Sequence, residues 1–205
     1  MKTVEIIGYN RANLGKSESK RLRAEGNVPC VVYGSGEQIH FYSPMILFRD
    51  LVYTNEARFV NLNIEGVEKR CILKDIQFHP VNEVIMHADF FELNDDKVVN
   101  MDIPVRMNGL APGIQKGGKL LIKMRKLVVK ALPKDMPEFI DVDVTGLDLG
   151  KSTKVGEVKT ANYEIMTSPL VTIASVEVPR SLRGKGDDEE GEEEETEGAE
   201  ASAES

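Results

Sequence analysis

Apolar and polar residues alternate along much of this chain with the two-residue period of a half-buried strand. In "RFVNLNIEG" Val60, Leu62 and Ile64 alternate with Asn61 and Asn63, which predicts a strand with one buried face. Glu65–Gly66 then turns it into "VEKRCILKDIQF" as a hairpin. The opening "MKTVEIIGYN" reads as a first strand, and "EVIMHADFFEL" as another. Two stretches break the pattern. In "HFYSPMILFRDLVYT" Pro44 suits a helix start, and Ile46, Leu47, Leu51 and Val52 fall near one side, predicting an amphipathic helix. In "LGKSESKRLRAEGNVPCVVYG" a short helix precedes a buried strand: Ser17 can cap it, Glu18 suits its first turn, and Gly26 can end it. Leu22 is the only large apolar residue between those caps, so the helix has almost no face of its own to bury.

Short strands with few helices predict a compact β-barrel for residues 1–93. "NDDK" (Asn94 to Lys97) is a polar break, and four strand-like stretches follow: "VVNMDIPVRMNG", "KLLIKMRKLVVKAL", "FIDVDVTGL" and "IMTSPLVTIASVEV". The chain is therefore expected to be mainly β, with a β-rich second domain over 94–180, a sheet or sandwich. Gly184 to Ser205 contain no core-forming side chain, and residues 181–205 are expected to be a disordered acidic tail.

Charge changes the picture only when it is divided. The net charge is −8, but Gly186 to Ser205 hold 11 acidic residues and no basic one. Setting those aside leaves +3, too small a sum to announce a nucleic-acid binder, so any such reading depends on where the charges cluster. No apolar run is long enough to span a bilayer, and "MKTVEIIGYN" has no apolar signal core. Cys30 and Cys71 sit in separate strand-like runs. They make neither a disulfide framework nor a metal cluster, and as buried free thiols they fit a reducing cytoplasm.

No catalytic constellation is found. His40, His79 and His87 lack zinc-ligand spacing, and neither HExxH nor CxxC occurs. "YGSGE" is glycine-rich but lacks the lysine and following helix of a phosphate loop, so it reads as a hairpin turn. His87 and Asp89 share a strand face with Cα atoms roughly 6.6 Å apart, an awkward separation for a direct dyad. The expectation is a protein that is not an enzyme, with no cofactor, metal, small-molecule substrate or membrane partner.

Two features carry positive chemistry. Lys16, Lys20 and Arg23 fall at i, i+4 and i+7 of the short helix, with Arg21 beside them. The run is either a solvated face or a set of phosphate ligands, and the missing apolar face favours a second wall made of phosphate. In "IMHADFF", Met86, Ala88 and Phe90 alternate with Ile85, His87, Asp89 and Phe91. The Asp–His combination is either a buried hydrogen-bonded pair or a base-edge reader. Aspartate is repelled by phosphate, so a binding role requires it to accept hydrogen bonds from base amino groups.

"LGKSESKRLRAEGNVPCVVYG", "LKDIQFHPV" and "HADFFEL", in this order and spacing, resemble the bacterial large-subunit ribosomal protein family that binds 5S rRNA. This is large-subunit protein twenty-five, whose long two-domain form is called the general stress protein CTC. The likeness continues through "DIPVRMNGLAPGIQKGGKLL" and "LPKDMPEFIDVDVTGLDLGKS", over about residues 3–179. The family's short form ends near the position of Leu93. The resemblance implies an N-terminal barrel like the anticodon-binding domains of some aminoacyl-tRNA synthetases, gripping the irregular loop E region of 5S rRNA. It also implies that Arg11, Lys16, Ser19, Arg21, Tyr33, His87 and Asp89 face the RNA, beside the helix cations Lys20 and Arg23. Lys20 stands where the family often has arginine, which keeps the charge but loses the bidentate fork. Ser17 and Glu18 replace the small residues usual after the glycine–lysine pair. The expected partners are 5S rRNA and the large ribosomal subunit in the cytoplasm. Lys119, Lys123, Arg125, Lys126 and Lys130 are candidates either for other rRNA or ribosomal proteins or for a solvated mixed face. The rival reading is a β-rich protein-interaction adaptor used under stress, with the basic helix as its docking element.

Overall fold

The computed structural model describes residues 1–34, 36–160 and 162–179, so the expected acidic tail lies outside the described residues. Six strands close into a barrel: β1 (Thr3–Asn10), β2 (Asn27–Tyr33), β3 (Ile39–Pro44), β4 (Phe59–Ile64), β5 (Val67–Phe78) and β6 (Ile85–Glu92). Their order around the barrel is β1-β3-β2-β6-β5-β4, closed by the parallel pairing of β1 with β4. Closure leaves no unpaired edge, the usual solution for a small sheet. Inward positions alternate as the sequence predicts, placing Ile6, Val28, Val32, Leu62 and Ala88 in the core. The rings of Phe41 and Phe48 pack on Phe90, with centroids 5.8 and 6.2 Å away.

Local chemistry explains the joints. A Cβ at Gly8 would lie 2.5 Å from the Phe41 ring, so β1 passes that ring only as glycine. Glu65 and Gly66 both take positive φ (50° and 93°), as a two-residue hairpin of the expected kind requires. Cys30 and Cys71 are buried and unpaired in β2 and β5. β2 and β3, on either side of the "YGSGE" stretch, pair antiparallel, and Ser35 within that stretch lies outside the described residues.

Two local expectations need correction. Helix α1 spans Lys16–Ala24 with Gly15 as its N-cap residue and no side-chain cap, so Ser17 lies inside the first turn. There the Gly15 carbonyl takes the Ser19 N–H and hydroxyl, at 3.1 and 2.9 Å. At the other end Gly26 has φ 79° and donates to the Arg23 carbonyl, a glycine stop of the predicted kind. The segment after Pro44 begins as a 3₁₀ turn, Met45–Phe48, and becomes a single α-turn, α2 (Arg49–Val52). A 3₁₀ turn eclipses residues three apart. Phe48 and Leu51 therefore point inward, while Ile46, expected on the buried side, is 70% exposed.

Beyond the barrel the chain makes β7 (Val99–Asn108), α3 (Pro112–Gln115), β8 (Lys119–Ile122), β9 (Lys126–Ala131), β10 (Ile140–Asp143), β11 (Ser152–Lys154), β12 (Glu164–Ile165) and β13 (Thr172–Glu177). Two compact units result. The first holds the barrel together with residues 95–104, 126–140 and 160–167. In it the first half of β7 pairs with β9, and β9 with β12. The second holds residues 105–125 and 141–159 and the described chain from 168. Its sheet runs β11-β13-β8, and Ala111, Val144, Leu147 and Val176 form a small core. The molecule is mainly β, as the alternation predicts. Among the described residues no helix is long and apolar enough to cross a membrane.

Candidate nucleic-acid interface

Helix α1 has only Leu22 to bury, and Leu22 is 4% exposed against the barrel. A second anchor is polar: Arg23 Nε donates to the Met86 carbonyl of β6 at 2.9 Å. Arg11, just past β1, donates its backbone N–H to the His40 carbonyl at 3.0 Å. Its guanidinium Nη2 donates to Ser19 Oγ, also at 3.0 Å. Arg11 Nε is shielded from solvent and has no hydrogen-bond partner. A cation half-committed in this way still has donor capacity for an anion.

Beside these tethers lies an open groove of about 440 Å³. Arg11, Lys16, Ser19 and Arg23 line it on one side, and Pro29, His40 and His87 on the strand side. The groove stripe of α1 is therefore 16, 19 and 23, and Lys20, exposed, stands one step round the helix. Arg21 is also outside the groove. It donates to Glu18 at 2.6 Å and lies 3.6 Å from Glu25, so two carboxylates already hold its charge.

The strand side continues past the groove. Val31 on β2 is the register partner of Asp89 on β6, and Tyr33 of Phe91. The Tyr33 and Phe91 rings meet edge to face, with centroids 5.9 Å apart. His87 Nδ1 lies 2.6 Å from Asp89 Oδ1, a closer approach than the awkward Cα spacing suggested, because side chains in a strand lean along it. Both side chains are about 30% exposed, so the pair is not buried. Asp89 Oδ1 is nevertheless closed off from solvent and takes no aligned hydrogen bond. On its other side Asp89 faces Asp75 of β5 across the sheet, a pairing of like charges that costs stability.

The charge of Asp89 bears on two neighbouring groups. Burial raises the Tyr33 phenol above its ordinary value, and the charges of Asp89 and Asp75 raise it further. Burial likewise pushes the Cys30 thiol up, with Asp89 adding to it and Arg11 opposing. Burial pushes the Cys71 thiol up to about 12.

Sequence reasoning missed His40 and Pro29 as groove residues. The signal was present: His40 and Tyr42 alternate outward against buried Phe41 on the strand paired with β2. It also missed Gln77, exposed on β5 as the register partner of His87. The basic residues singled out after the barrel do not form one group. Lys119, Lys123 and Arg125 belong to the second compact unit, and Lys126 and Lys130 of β9 to the first.

A closed barrel with a cationic groove beside a part-exposed carboxylate fits the class of nucleic-acid-binding modules, and comparison with known proteins narrows that class. The model of the ribosomal L25p family matches residues 6–90, and that of the ribosomal protein TL5 C-terminal domain matches residues 98–180. Proteins named large ribosomal subunit protein bL25 are similar over nearly the whole chain. That of Amoebophilus asiaticus is 54% identical over 191 residues, covering 93% of this chain and 97% of the relative. That of Cytophaga hutchinsonii is 52% identical, covering 89% and 95%. That of Bacteroides thetaiotaomicron is 41% identical, covering 90% and 96%. The chain belongs to the ribosomal L25p family.

Proposed function

We propose that the barrel, residues 1–93, binds 5S rRNA at its loop E region and so fixes this protein in the large ribosomal subunit. The coarser statement stands on the family: the protein is a structural, non-catalytic constituent of the large ribosomal subunit, ribosome-bound in the cytoplasm. Loop E comes from the resemblance. The observation that carries a specific RNA target, as against any polyanion, is Asp89. A groove meant only for phosphate gains nothing from a part-exposed carboxylate that faces a second aspartate across the sheet. With His87 against the shielded Oδ1, the exposed remainder of the Asp89 carboxylate can accept from an amino group of guanine or cytosine, and the irregular pairs of a loop leave such groups accessible. Arg11, Lys16 and Arg23 then hold the phosphates that set the register, and Tyr33 and His87 flank the base edge.

Filter binding of the full chain to isolated 5S rRNA tests this against an unrelated RNA of equal length. Tighter binding to 5S rRNA at physiological salt is expected. Equal affinity for both RNAs would leave a non-specific cationic surface and overturn the reading.

A further inference from the structure

We infer that Tyr9 and Tyr42 form a stacking platform for an unpaired base, extending the RNA-binding face of the barrel beyond the cationic groove. The inference rests on the reading of that groove as an RNA site. Gly8 faces the core, where Phe41 packs against it, so its neighbours Ile7 and Tyr9 point outward. They are 52% and 46% exposed. Tyr9 is the register partner of Tyr42, and the two rings lie 5.5 Å apart at a 30° tilt. Two neighbouring aromatic rings on an outer barrel face make a π-surface on which any base can stack.

Position argues for a nucleic-acid occupant. Arg11 lies two residues beyond Tyr9, His40 two before Tyr42, and Pro29 is the register partner of Tyr42. All three line the groove. The aromatic pair therefore begins where the cationic lining ends. A backbone held by Arg11 and Lys16 carries its next bases toward rings rather than toward another charge. Alternating phosphate cradle and aromatic surface is how single-stranded segments are held.

The competing account is a cross-strand staple, because β1 and β3 share only two registered pairs, Tyr9–Tyr42 and Asn10–Phe41. Two double variants of the full chain separate the accounts. Tyr9→Leu/Tyr42→Leu keeps apolar bulk and removes the π-faces; Tyr9→Phe/Tyr42→Phe keeps the faces. With 5S rRNA the leucine pair is expected to lose roughly tenfold in affinity. Its dependence of log K on log salt should stay that of the wild type, since no phosphate contact is lost. The phenylalanine pair should bind as the wild type does. Tyrosine emission gives a second readout that does not depend on the leucine pair folding. The chain has five Tyr and no Trp, so quenching on RNA binding should be weaker in the phenylalanine pair than in the wild type.

A folded leucine pair that binds as tightly as the wild type overturns the platform. So does quenching that is unchanged in the phenylalanine pair. A leucine pair that keeps its affinity for 5S rRNA but no longer co-sediments with large subunits would mean that the rings meet a protein, which also overturns it. If wild-type chain fails to prefer 5S rRNA, the groove reading itself has failed. If Lys16→Ala weakens binding and the leucine pair does not, the groove survives and the platform alone falls.

Discussion

Asp89→Asn keeps the size of the side chain and one acceptor oxygen but removes the charge that strengthens bonds to amino groups. Bulk electrostatics says that losing a negative charge helps binding to a polyanion. Base readout says the opposite, and affinity for 5S rRNA is expected to fall by roughly 1 to 3 kcal/mol, the scale of one good base contact. Binding to unrelated RNA should hold or rise. The His87–Asp89 pair is about 30% exposed and Asp75 repels Asp89 across the sheet, so the melting temperature should change little. A fall in melting temperature with specific affinity intact would make Asp89 scaffold. The two thiols test the interior in the same residue-by-residue way. Burial raises both pKa values, to about 12 for Cys71, so each thiol stays neutral and unreactive in the native state at pH 8. The sign follows: an acid whose pKa is raised by folding stabilises the native state below its unfolded pKa. That contribution is lost as pH climbs from the unfolded value through the folded one. Thiol reagents at pH 8 should therefore label no cysteine in the native chain and both in denaturant. Part of this was legible in the chain, because strand alternation puts His87 and Asp89 on one face without any structure, though it does not say whether that face is buried. Their 2.6 Å approach was not, since Cα spacing says nothing of side-chain lean. Nor was burial of Ile85 on the same nominal face, because the β5–β6 register shifts between Gln77 and Phe78.

Helix α1 is the element whose composition makes sense only with a partner. Its sequence declared the problem, one large apolar residue among cations, but could not say which cations face the gap. Helical spacing grouped 16, 20 and 23; docking by Leu22 and the Arg23–Met86 bond rotates the stripe to 16, 19 and 23. Lys16→Ala should weaken 5S rRNA binding and flatten its salt dependence by roughly 0.7 to 0.9 log units for one lost phosphate contact. Arg21 is shared between Glu18 and Glu25, so Arg21→Ala is expected to change the slope less than Lys16→Ala. Titrations at four salt concentrations measure both, and an unchanged slope in the Lys16 variant would mean that the helix faces solvent. The segment after Pro44 went astray for a related reason. Its apolar residues suit an α-helix, but a 3₁₀ turn has a three-residue period, and that choice is made by Phe48 reaching Phe90 in the core.

At the scale of the molecule, the barrel closes with its own six strands, and every residue proposed to meet RNA precedes Leu93. Residues 1–93 alone are therefore expected to fold and to bind 5S rRNA. Their stability should be lower, because Leu51, Leu73 and Ile76 border a cavity also lined by Met101 and lose that cover. Circular dichroism and filter binding on the fragment check this, and a folded fragment that does not bind would refute the division of labour. Net charge was the least informative whole-chain quantity. The value of −8 conceals a body of +3 and says nothing of a groove set by a handful of residues. The 11 acidic residues from Gly186 to Ser205 are nonetheless expected to repel RNA that approaches, since like charge lowers encounter rates over about a Debye length. Deleting Gly186–Ser205 should raise affinity for unrelated RNA at low salt, where that length is roughly 30 Å at 0.01 M. The gain should vanish near 1 M, where it is about 3 Å. Affinity for 5S rRNA should shift less, because the base contacts proposed at Asp89 do not depend on long-range charge. Filter binding of both chains at the two salt limits decides the matter: identical affinity for unrelated RNA at low salt would leave the acidic stretch without influence on binding.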